Sequence, residues 1–241
     1  MIRSHVGPLV LFMLFLLVPD ALSIVAPPSD DHSPWWLQSP AIWLYPVQTL
    51  ACLAALIAWR RHYTFAPWRG LVVAVIMGIA GIAVWIAPGF LYRTFQMSVG
   101  WWQHLGIADR TDGFDPEVLK PHGAAAYWFV LSVRFLRLVV VVPLVEEIFW
   151  RGFLMRFLIN PDGDFQDVPF GTHHNTSLIV VTALFVLAHA PVDYAAATIY
   201  GLLAYWLAVR TKSLAACVLM HAVANLLLGL YVVISGQWGY W

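Results

Sequence analysis

The chain alternates long apolar runs with short polar breaks, and the runs are of membrane length. A hydrocarbon core of ~30 Å needs about 20 apolar residues as a helix. Residues 6–25, 41–59 and 70–87 meet that length, and the last two hold no charged side chain. A fourth run covers 124–145 and predicts a helix continuing to about 158. Runs 176–190, 195–209 and 213–235 follow. The predicted fold is all-α: one integral membrane domain over 1–241, a polytopic transmembrane bundle of about seven to eight helices, depending on whether 124–158 is one helix or two. No internal repeat or low-complexity tail interrupts it.

Composition supports lipid as the solvent. Hydrophobic residues make up 61% and charged residues 11%, where a soluble domain carries about 25% charged residues. Thirteen Trp suit a protein with two membrane–water interfaces. Net charge is zero, which gives no reason to expect nucleic acid as a partner. Cys52 and Cys217 both fall in apolar runs, without zinc-ligand spacing.

The first run also has the layout of a secretory signal, with Arg3, an apolar core and "DALS" ending at Ser23. The single Arg in front favours an uncleaved anchor. Arg60, Arg61 and Arg69 place the loop between the second and third runs in the cytoplasm, and the Lys/Arg-free loop before it outside. Counting onward puts 88–123 outside, 159–175 inside, Arg210 and Lys212 inside, and the C-terminal "GQWGYW" at the outer interface. Within 88–123, Leu91, Phe95, Val99, Trp102 and Leu105 recur at helical spacing and predict an amphipathic helix lying on the membrane.

Ionisable groups inside lipid cost roughly 2.5–3.5 kcal/mol each on insertion scales, so the polar intrusions carry the chemistry. Glu147 and Arg151 are four apart and pair on one helical face. Glu146 is turned about 100° away and lacks that partner, which makes it a candidate general base. His189 ends an apolar run just before Pro191, where a plain reading is a helix C-terminal cap. His221 and Asn225 share a face in mid-span, where the plain reading is a helix–helix hydrogen bond. Together, Glu, two His and Asn from three helices suffice for hydrolysis. Carboxylate and imidazole can deprotonate a water, and imidazole and amide can face an oxyanion. Equally, Glu146, His189 and His221 form a zinc-type ligand set, and spacing leaves both readings open. Arg134 and Arg137 either face the site or snorkel to an interface, and snorkelling is the plainer expectation. Asp193 follows Pro191, so it need not share the face of His189.

The pattern Glu146-Glu147-x-x-x-Arg151, Phe185-x-x-x-His189 and His221-x-x-x-Asn225 resembles the CPBP family of intramembrane proteases, which includes the type II CAAX prenyl endopeptidases. "GFDP", "VPFGT", "RTKSLAAC" and "GQW" resemble a bacterial subgroup found with exosortase and PEP-CTERM sorting systems. The resemblance implies a catalytic core over 124–241, with 1–123 holding N-terminal helices and the outer loop. It implies a water-activating Glu146 with His189, oxyanion stabilisation by His221 and Asn225, and support from Glu147, Arg151 and Phe185. It leaves open whether the cofactor is absent or a divalent metal such as zinc. The implied partners are the bilayer, a membrane-anchored protein or peptide substrate, and components of such a sorting system. The implied location is the bacterial inner (cell) membrane. Two other classes compete. One is a non-catalytic scaffold, chaperone or immunity-type protein of the same fold. The other is a transporter, which the lack of repeats disfavours.

Overall fold

A computed structural model describes residues 1–25, 37, 39–98, 100–108, 110 and 113–241. Among the described residues the regular elements are helices: α1 (Ile2–Leu16), α2 (Val18–Val25), α3 (Ala41–Ala58), α4 (Leu71–Thr94), α5 (Ala124–Phe157), α6 (Asn175–Leu187), α7 (Tyr194–Thr211) and α8 (Leu214–Ser235). Six helical stretches are long and apolar enough to cross a membrane, so the chain is a multi-pass integral membrane protein. Their outward faces carry Val72, Ile76, Ile199 and Ile234, all exposed, as lipid requires. Backbone polar groups close within each helix, which is the condition for spanning hydrocarbon.

Run 176–190 departs from expectation. Its helix has 13 residues, or about 20 Å at 1.5 Å per residue, too short to span alone. The cause lies in the sequence. Pro191 biases the residue before it away from the helical region, and Ala190 is extended, at φ −64° and ψ 146°. The helix therefore stops before His189. The surface helix expected within 88–123 is also absent among the described residues. Leu91 belongs to α4, which runs through Pro88 to Thr94. Gln96 then adopts a positive φ of 46°, which no helix continues through, and among the described residues two 3-10 stretches, Trp101–Leu105 and Pro116–His122, follow before α5. Val99 lies outside the described residues.

Close packing of α4 on its neighbours depends on two glycines. A Cβ at Gly78 would come within 2.6 Å of the Met220 carbonyl oxygen on α8. A Cβ at Gly81 would come within 2.8 Å of the Tyr200 ring on α7. Small residues allow such backbone approach in membrane bundles. Helix α8 has clean ends. The Ser213 side chain accepts from the Ala216 N–H at 3.2 Å, and Gly236 closes the other end in the left-handed region at φ 66°.

Helix α5 is one 34-residue helix with two π-helical stretches, Arg137–Val141 and Ile148–Leu154. In the first, the Val142 N–H donates to the Arg137 carbonyl, five residues back. The next donor in that register is position 143, a proline without an N–H. The carbonyl of Leu138 is thereby freed for an outside donor, and π stretches often mark such functional sites.

Arg134 and Arg137 do not snorkel. Arg134 is 3% exposed, its guanidinium over the rings of Tyr45 (4.5 Å), Phe114 (4.6 Å) and Trp241 (5.2 Å). Arg137 donates to the Gln48 side-chain oxygen at 2.7 Å and lies over Tyr45 and Phe12. Gln48 in turn donates to the Phe12 carbonyl at 2.8 Å. The α1–α3 pair thus supplies aromatic faces and an amide that hold cations inside the bundle, which outcompetes an extended stem reaching water.

Candidate active site

The freed Leu138 carbonyl accepts from the Asn225 side-chain N–H at 2.8 Å. This bond ties α5 to α8 at the level of a cavity of about 310 Å³. Glu146 from α5, His189 from the end of α6, and His221 and Asn225 from α8 all line it. The four residues singled out from sequence therefore meet at one place, although three separate segments carry them.

Each side chain has a defined hydrogen-bonding state. His189 Nδ1 lies 2.7 Å from the Phe185 carbonyl oxygen. A carbonyl only accepts, so Nδ1 carries the proton and the neutral ring keeps an unprotonated Nε2. The ring is wedged between Phe185 (4.6 Å between centroids) and Trp85 (5.2 Å). Phe185, the fourth residue before His189, thus orients it twice, through its ring and through its carbonyl.

Glu146 has an unpartnered carboxylate oxygen, Oε2, buried against the cavity. Arg137 is within electrostatic range of it. Glu147 points elsewhere and is 0% exposed. Its Oε1 accepts from Arg151 at 3.0 Å, so the expected i,i+4 pair is present, and from His221 Nδ1 at 2.9 Å. The Arg151 guanidinium also lies over Phe185, 5.1 Å from its ring centre. The two adjacent glutamates therefore divide the work, one facing the cavity and the other tying α5 to α8.

The cavity is also lined by residues that sequence reasoning left without a role. Asp193 lines the cavity after all, because the turn after α6 swings it back. It accepts from Arg110 of the 88–123 segment. The Arg110 guanidinium sits 4.1 Å over the Tyr240 ring, and burial raises the Tyr240 hydroxyl above its ordinary range, against the opposite pull of Arg110. Tyr240 and Trp241 line the cavity as well. The matched charges of Arg110 and Asp193 were the only available signal, and 83 residues separate them.

The donor set does not fit a metal as arranged. Among the described residues no group of three or more His, Cys, Asp or Glu is placed to hold an ion. Glu146, His189 and His221 line one cavity without forming a ligand triad, and the second nearby carboxylate, Glu147, is committed to Arg151 and His221.

No curated protein and no solved structure matches the chain. Residues 128–227 match the family model of the type II CAAX prenyl endopeptidase, Rce1-like, a stretch that contains Glu146, His189, His221 and Asn225. Over those residues the chain is similar to the Rce1-like type II CAAX prenyl endopeptidases.

Proposed function

We propose that the protein is an intramembrane endopeptidase that hydrolyses a peptide bond of a membrane-anchored protein. The observation that carries this reading is the convergence of Glu146, His189, His221 and Asn225 on one cavity inside the bundle, with a buried Glu146 oxygen left without a partner. An unpaired buried carboxylate is costly, and a scaffold has no use for it.

The chemistry follows from the hydrogen bonds. A water between the Glu146 carboxylate and His189 Nε2 gives up a proton to Glu146 as its oxygen attacks the scissile carbonyl carbon. The carbonyl oxygen becomes an oxyanion and meets the remaining N–H of Asn225 and the His221 ring. Glu147 holds that ring in place through its Nδ1. The tetrahedral intermediate collapses, the C–N bond breaks, and Glu146 returns the proton to the leaving amine. No step requires a metal.

The substrate would be an anchored protein of an exosortase-type sorting system in a bacterial inner membrane, a reading that rests on the narrower sequence likeness alone. A strain carrying Glu146→Ala, compared with wild type by profiling the termini of membrane proteins, tests both levels. A set of proteins should retain unprocessed termini in the variant, and their identity names the substrate class. Identical termini in the two strains would sink the endopeptidase reading.

A further inference from the structure

We infer that the Tyr200 hydroxyl is a further catalytic group, the hydrogen-bond donor that faces the oxyanion beside Asn225. The inference rests on the endopeptidase reading and goes beyond it, since no motif includes Tyr200.

The side chain is held with unusual firmness for a residue with a free polar end. Tyr200 is 4% exposed. Its ring lies parallel to Phe185, with 18° between planes, and edge-on to Trp85 at 6.0 Å and His221 at 5.8 Å. Gly81 leaves the space its ring occupies, because any Cβ there would overlap the ring edge. Two of these neighbours, Phe185 and Trp85, are the same rings that fix His189. Despite this packing, the hydroxyl is buried without a hydrogen-bond partner, in a side chain that lines the catalytic cavity. Buried hydroxyls in native proteins are nearly always paired, so an orphan facing a cavity points to a group that arrives with the substrate.

The other donors of the site explain why one is needed. His221 Nδ1 is spent on Glu147. In the neutral ring that bond leaves Nε2 as an acceptor, unable to donate to an oxyanion. Asn225 has committed one side-chain N–H to Leu138. A neutral His221 would leave the oxyanion a single N–H, whereas Tyr200 offers an O–H in every protonation state of His221. It donates a hydrogen bond and keeps its proton, so the balance of the hydrolysis is unchanged.

Tyr200→Phe removes the oxygen and keeps the ring. The experiment follows, by pulse–chase in the native host, the precursors that accumulate in the Glu146→Ala strain, and measures thermal unfolding of the purified variant in detergent. Processing in Tyr200→Phe should slow about 10²-fold, the typical loss for one oxyanion donor. The melting temperature should equal that of wild type or exceed it, since an orphan hydroxyl is lost. Wild-type processing rates overturn the inference alone. A melting temperature lower by several degrees also overturns it, because the hydroxyl then has a structural partner. Absence of precursors in the Glu146→Ala strain overturns the protease reading, and this inference falls with it.

Discussion

Arg151→Ala should strip most of the folded protein from the membrane. Glu147 and Arg151 are 0% and 1% exposed, and the carboxylate holds both Arg151 and His221. Removing the guanidinium leaves a carboxylate in the apolar core with an imidazole as its only partner, and Oε2 is already unpaired. Breaking a buried pair from one side typically costs ~3–5 kcal/mol, a large share of the roughly 5–15 kcal/mol that holds a protein folded. Abundance in isolated membranes and thermal unfolding in detergent measure it. Lys120→Ala is the matched control, since its partner Glu117 and Lys120 itself are both exposed, and exposed pairs contribute little. If Arg151→Ala matched that control, the pair would not be structural.

The second large effect is a split in rates. In purified protein, Glu146→Gln should lower cleavage by about 10²–10⁴, the range for a lost general base. His221→Ala should lower it by about 10²–10³, with cleavage still measurable, because it removes a donor and a brace rather than the base. Chelation should change neither the wild-type rate nor the fold. The alternative ranks them differently: with zinc bound by Glu146, His189 and His221, His221→Ala would lose metal and activity together. Stoichiometric zinc by elemental analysis, with activity lost on chelation and restored by adding zinc, would refute the metal-free chemistry.

The spans were readable because lipid imposes one rule, a long apolar helix, and the sequence obeys it in six places. Glu146, Glu147, Arg151, His189, His221 and Asn225 were readable because polar side chains in such runs are costly and few, even though a cap, an ion pair or a helix–helix hydrogen bond accounts for some of them singly. The limits came from tertiary contacts. Asp193 and Arg110 sit in loops, where charge is ordinary, and nothing in their spacing signals that they line the cavity. Tyr200 reads as one more aromatic residue in an apolar helix, and only the four surrounding groups make its hydroxyl stand out. Arg134 and Arg137 were misjudged because snorkelling needs only a nearby interface, while their actual holders, Tyr45 and Gln48, lie on another helix. Pro143 was visible from the start. Its effect on the Leu138 carbonyl depends on the π register, and periodicity alone does not reveal that.

The links that complete the site also set when it can exist. Glu147 meets His221 across 74 residues, and Leu138 meets Asn225 across 87. Both run from α5 to α8, which leaves the ribosome well after α5 has done so. Until α8 docks, Glu147 has only Arg151, the Leu138 carbonyl has no donor, and the cavity lacks a wall. Contacts so distant in sequence form late. The site is thereby incomplete while α5 stands alone in the bilayer and is assembled in one step, when α8 closes on α5.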